Sequence, residues 1–234
     1  MTQQSSIKAV IFDLDGLLID SEPLWQEAEI EIFQQVNIQL TSELCLRTKG
    51  LRIDEVVDYW YAQYPWDNLS KQEVEDRIVA RVIELIKTKG QPLPGVAEAI
   101  AFVRSKPIKI ALASSSALKI IQAALEALEL SEVFTEVYSA EFEKLGKPDP
   151  GVYLTTAQKL GVSPQECVAL EDSLNGVLAA KAAQMQCIAI PEKIVDPTPE
   201  LAAKEQRLLN SADLVLGSLW ELNDDVWQKL VEDY

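Results

Sequence analysis

The sequence contains no histidine. Imidazole is thereby excluded as a general base and as a zinc ligand, so acid–base chemistry falls to carboxylates. Cysteine is scarce. Cys45, Cys167 and Cys187 are odd in number and show no C-x-x-C spacing, which argues against a disulfide framework or a thiolate metal cluster. Positive charge is in deficit, with 21 Lys and Arg against 37 Asp and Glu and a net charge of −16. Nucleic acid and anionic membranes, which select a basic face, are therefore not expected partners. No apolar run approaches the length of a membrane span. The opening MTQQSSIKAV lacks the apolar h-region of a signal peptide. A cytoplasmic protein with reduced thiols is expected. Neither a Walker P-loop nor G-x-G-x-x-G occurs, so nucleoside triphosphates and dinucleotides have no support.

Apolar side chains are plentiful. They make up 48% of 234 residues, enough for a sizeable core. Residues 7–13 (IKAVIFD) read as a fully buried strand. From Ser21 to about Lys89 the signal is helical. Trp25, Ala28, Ile32, Phe33 and Val36 recur at helical spacing, as do Ile53, Val56, Val57 and Trp60. Ser70 and Glu73 form a capping box for a further helix. KGQPLPG (89–95) breaks the block. Helices and short apolar strands then alternate, with strands at 108–113, 136–139, 167–170, 187–190 and 213–216. Helices are expected over 95–106, 116–129, 150–160 and 174–184, another from Thr198–Pro199, and a short one at the end. This alternation predicts an α/β fold, a Rossmann-like three-layer core around a parallel sheet. Residues 1–18 and 93–234 form that core, and 19–92 an inserted all-helical cap.

In such a sheet, ligands bind beyond the carboxyl ends of the strands. The first strand ends in Asp13-Leu14-Asp15-Gly16, the second in Ala113-Ser114-Ser115-Ser116, and that at 167–170 in Glu171-Asp172-Ser173. Lys147-Pro148-Asp149 forms a turn before a helix. Carboxylates gathered this closely repel unless a cation neutralises them. All-oxygen ligation favours a hard ion, Mg²⁺, which commonly accompanies a phosphate. Ser114 and the N–H groups opening the helix expected at 116 make a phosphate cradle, and Lys147 adds positive charge. A carboxylate can attack phosphorus, and a second one two residues on can protonate the leaving oxygen. Gly16 lets the chain turn sharply away. Each element alone has an ordinary reading: a helix cap, a solvated lysine, first-turn acids. Their order and shared placement are what point to chemistry.

D-x-D-G, a strand-end Ser, K-P and E-D together resemble the four-motif signature of the haloacid dehalogenase superfamily, across essentially the whole chain. Helices inserted behind the first motif resemble its C1-type cap. DGLLIDSEPLW and GLRIDEVVDYWYAQYPW (50–66) resemble the bacterial hexitol-phosphate and 2-deoxyglucose-6-phosphate phosphatases of that superfamily. The resemblance implies that Asp13 is the nucleophile and a Mg²⁺ ligand. It implies that Asp15 is the general acid and then the base, with its carbonyl on the metal. Asp172 and Glu171 would complete the metal site. Ser114, the Ser115 N–H and Lys147 would hold phosphate, and Asn175 would support the metal shell. Substrate choice is expected in the cap, from Glu22, Trp25, Lys49, Gly50 and Arg52. For Trp25 the helix's apolar stripe offers a core role instead. For Lys49 and Arg52 the alternative is plain solvation, and for Gly50 an ordinary turn. The expected activity is hydrolysis of hexose and hexitol phosphates, a small phosphate ester being the partner of a monomer. A β-phosphoglucomutase-like isomerase is the first alternative, although that branch carries a cap histidine where this chain has Trp25. A phosphoglycolate-type phosphatase is the second alternative and a non-catalytic binding protein the last.

Overall fold

The computed structural model describes residues 7–192 and 197–232. Residues 1–6, on which part of the leader-peptide reading rests, lie outside that description, as do 193–196 and 233–234. Six parallel strands form the sheet: β1 (Ala9–Phe12), β2 (Lys109–Ser114), β3 (Glu136–Ser139), β4 (Cys167–Glu171), β5 (Gln186–Ala189) and β6 (Leu214–Val215). Their order is β3-β2-β1-β4-β5-β6. The chain therefore reverses its direction of travel between β1 and β4, the switch point at which doubly wound sheets bind ligands. The register fixes that edge: Phe12 pairs with both Leu112 and Leu170, so Asp13, Ala113 and Glu171 emerge side by side.

The sheet's two faces differ in side-chain volume. Val10, Phe12, Leu112, Leu170 and Ile188 point to one side. Mostly small groups point to the other: Ala9, Ala111, Ala113, Ala169 and Cys187, with Ile11 the one large member. Side chains alternate across a strand, so this pattern is written with period two. The small face receives α7 (Gly151–Leu160), α8 (Leu174–Ala182) and α9 (Pro199–Ser211). The large face receives α5 (Val96–Arg104), α6 (Leu118–Ala127) and α10 (Asp224–Glu232).

Between β1 and α5 the chain forms α1 (Glu22–Gln34), α2 (Ser42–Cys45), α3 (Ile53–Gln63) and α4 (Lys71–Lys89). Phe33 packs edge-on against Trp60 and Trp66, with ring centroids 6.5 and 6.0 Å apart. Each buried aromatic of this kind contributes roughly 1.5–3 kcal/mol. The apolar interior of this block is continuous with the large face of the sheet. Ile19 bridges to both Asp15 and Pro92, so the two chain crossings run together. The Ser70–Glu73 capping box opens α4, with Ser70 N–H donating to Glu73 at 2.8 Å.

Most element ends differ from the sequence reading by one to a few residues, and three of the differences matter to the site or the sheet. The helix expected at 116 begins at Leu118, because Ser114 Oγ takes the Ser116 N–H at 3.0 Å and holds residues 115–117 as a loop. The helix expected at Pro150 begins at Gly151, whose N–H is capped by Asp149 Oδ1 at 2.9 Å. The last strand is two residues long instead of four.

Candidate active site

Asp13 leaves β1 at the switch point, almost fully buried. Lys147 enters from the turn before α7 and donates to Asp13 Oδ1 at 2.7 Å, Glu171 Oε1 at 2.7 Å and the Ala113 carbonyl at 3.1 Å. All three of its donors are thus engaged. Tyr153 donates to the same Glu171 oxygen at 2.5 Å. Asp172 follows Glu171, and Lys49 lies 3.0 Å from its Oδ2 as an ion pair. Ligand oxygens of Asp13, Glu171 and Asp172 all fall within 4.8 Å of one another.

The electrostatics follow from burial. Desolvation pushes the Asp13 carboxyl well above the usual range, against the pull of Lys147. Burial likewise pushes Asp172 up to about 6, with Lys49 opposing and Glu171 reinforcing. Burial alone would lower Lys147, but Asp13 and Glu171 outweigh it and push it up. For Lys49 the same contest is won by Asp172, Glu22 and Glu192. Three buried carboxylates with two ammonium partners remain short of positive charge. That deficit, with an all-oxygen donor set, fits a hard divalent cation.

Two glycines leave room for this cluster. A Cβ on Gly16, whose φ is +73°, would stand 2.2 Å from Asp172 Oδ2. A Cβ on Gly176 would stand 2.0 Å from the Glu171 carboxylate.

A family model matches residues 7–184, that of the haloacid dehalogenase-like hydrolases. The chain belongs to this family. Among curated relatives, hexitol phosphatase B of Escherichia coli is 44% identical over 95% of this chain and 97% of its own length. The β-phosphoglucomutase of Bacillus subtilis is 34% identical over 79% and 83%. Among solved structures, CbbY from Rhodobacter sphaeroides in complex with phosphate superposes with a TM-score of 0.81, at 26% identity, over 93% of this chain and 96% of that one.

Within this hydrolase fold, Asp15 is held by four groups. Ser21 Oγ and Trp25 Nε1 donate to Oδ1 at 2.7 and 2.9 Å, and Ser116 Oγ and Ser114 Oγ to Oδ2 at 2.7 and 3.4 Å. Trp25 therefore does two things: its ring packs against the apolar interior while its N–H fixes Asp15. Ser115 Oγ reaches the Gly50 carbonyl at 3.3 Å, tying the β2 loop to the helical block. The cleft so enclosed spans about 640 Å³, part of it open to solvent, and Glu22, Trp25, Lys49 and Gly50 all line it.

One residue expected in the cleft, Arg52, does not line it, and Asn175, expected behind the metal ligands, does not line it either. The Arg52 guanidinium grips Asp54 at 2.6 Å and donates to the Ala140 and Glu143 carbonyls at 3.1 and 2.9 Å. It clamps the helical block to the core instead of facing the cleft. Asn175 is half-buried, behind Gly50.

Sequence reasoning missed Ser21, Ser116, Tyr153 and Gly176. Gly176 carried a readable signal, since glycine inside a helix costs about 1 kcal/mol and implies close packing. Ser21 occupies a capping position without capping its helix. Tyr153 carried no local signal: it lies on an ordinary helical apolar stripe.

Proposed function

We propose that this protein is a Mg²⁺-dependent phosphatase of small sugar phosphates, hexose and hexitol phosphates foremost, working through an aspartyl-phosphate on Asp13. The observation that carries the reading is the buried Asp13–Lys147–Glu171 array at the switch point, with Asp15 poised across the same cleft. The E. coli relative supports the substrate class. Lys147 fixes Asp13 through Oδ1, and Oδ2 receives no hydrogen bond among the described residues. Asp13 attacks phosphorus, the ester P–O bond breaks, and Asp15 gives its proton to the departing alkoxide. Asp15 then takes a proton from water, whose oxygen attacks phosphorus, releasing phosphate and restoring Asp13. The Ser116 or Ser114 hydroxyl must turn from Asp15 for each transfer. Ser114 and the Ser115 N–H cradle the phosphate, while Lys147 contributes charge at short range.

Mg²⁺ would be held by Asp13, Asp172, Glu171 and the Asp15 carbonyl, where it would neutralise their charge and polarise the phosphoryl group. Residues 19–92 act as the cap that excludes water. No helix among the described residues is long and apolar enough to cross a membrane. The three cysteines are buried and free, which fits a reduced cytoplasmic setting. The protein acts as a monomer on a small phosphate ester.

The test is phosphate release from a panel, with Mg²⁺ and with chelator: sorbitol 6-phosphate, mannitol 1-phosphate, 2-deoxyglucose 6-phosphate, β-glucose 1-phosphate and phosphoglycolate. Mg²⁺-dependent release highest on hexose or hexitol phosphates is expected. Release from phosphoglycolate alone, or β-glucose 1-phosphate consumed without free phosphate, overturns the reading.

A further inference from the structure

Glu22, Trp25 and Glu29 lie at i, i+3 and i+7 of α1, on one helical face, and all three line the cleft. Trp25 marks the catalytic end through its bond to Asp15. Glu29 lies one turn further along, about 6 Å of helix rise from Trp25. The helix thus runs from the reacting groups along the cleft wall.

The polar groups that the helical block presents to the cleft are nearly all committed. The Trp25 N–H is on Asp15, and Lys49 is paired with Asp172 and Glu192. The Thr48 hydroxyl donates to the Cys45 carbonyl at 3.1 Å. Glu22 accepts from Gln26 at 3.0 Å. Leu51, Ile53 and Val56 supply apolar lining. Glu29 is the exception: it is 6% exposed, the Cys45 thiol is its side-chain hydrogen-bond neighbour, and its Oε2 has no hydrogen-bond partner. A buried carboxyl oxygen left unmatched is costly unless something else meets it.

We propose that Glu29 is a specificity-determining residue that binds the hydroxyl groups of the substrate's carbon chain, distal to the phosphate, and thereby selects polyol phosphates of about hexose length over short or hydroxyl-poor esters. This deepens the sugar-phosphate reading and rests on it. The chemistry matches on both sides. A sugar hydroxyl both donates and accepts, and a protonated carboxyl offers the complementary pair. Burial, reinforced by Glu22, pushes Glu29 up to about 8, which leaves it mostly protonated at neutral pH. A short anionic ester such as phosphoglycolate would end before Glu29 and bring its own carboxylate toward Glu22.

The experiment compares wild type, Glu29→Leu and Glu29→Gln on sorbitol 6-phosphate and on p-nitrophenyl phosphate, which has no hydroxyl chain. Melting temperatures check the fold. Glu29→Leu is expected to lower kcat/KM on sorbitol 6-phosphate by about 10–100-fold, mainly through KM. Its kcat/KM on p-nitrophenyl phosphate should stay within about twofold, and Glu29→Gln should recover most of the loss. Equal losses on both esters, or no loss on either, overturn the role of Glu29 while leaving the phosphatase reading intact. Wild-type hydrolysis of p-nitrophenyl phosphate with none of any sugar phosphate overturns both.

Discussion

At the core end of the cleft, Lys147 joins Asp13 to Glu171 and Tyr153 caps the same glutamate. At the cap end, Glu29 keeps an oxygen with no partner. The core end is built before substrate arrives, as transition-state stabilisation requires. The cap end is left for the substrate to complete, as discrimination requires. One cleft thus separates the chemistry from the choice of what undergoes it, and the seam between them is the Trp25–Asp15 hydrogen bond.

The largest effect should come from breaking the core end. Lys147→Met leaves buried carboxylates uncompensated, and a loss of about 3–5 kcal/mol in denaturant-measured stability is expected along with the activity. Gly176→Ala keeps every charge but drives a methyl into Glu171. About 1–3 kcal/mol of stability and roughly 10–100-fold in kcat should be lost, read by chemical denaturation and steady-state kinetics. Trp25→Phe tests the seam: removing one hydrogen bond to Asp15 should lower kcat by about tenfold with little change in melting temperature.

The effect at the cap end appears as a pH slope. Glu29 holds its proton up to about pH 8 in the folded chain, against an ordinary value of 4.5. Its stabilising contribution is full below pH 4.5 and declines as pH rises toward 8, at roughly 1.4 kcal/mol per unit. Glu29→Gln should remove that part of the slope, so that variant minus wild-type stability grows between pH 5 and pH 8. Parallel stability curves would contradict it.

Asp13, Lys147, Glu171 and Asp172 of the core end were legible in the sequence because each sits at the end of a strand or in a turn, where apolar runs stop abruptly. Asp13, Glu171 and Asp172 announce themselves by interrupting VIF and CVAL. The sheet was legible as short apolar runs alternating with helices, while the sorting of large and small residues onto its two faces emerged only in the structure. The cap end was less so. Helix faces there mix packing with contact, so Trp25 stood as a cleft candidate with a core role as its alternative, and Arg52 as a cleft candidate with plain solvation as its alternative. Which carbonyls Arg52 would meet depends on how the helical block sits on the core, a long-range fact absent from local spacing. Tyr153 was hidden because its contact with Glu171 is made across the fold.

The central claim is that Asp13 carries the phosphoryl group, and Asp13→Asn tests it most directly. With sorbitol 6-phosphate and Mg²⁺, phosphate release should fall by a factor on the order of 10³ or more while the melting temperature is retained. Phosphate release at the wild-type rate from a folded Asp13→Asn variant would contradict the account.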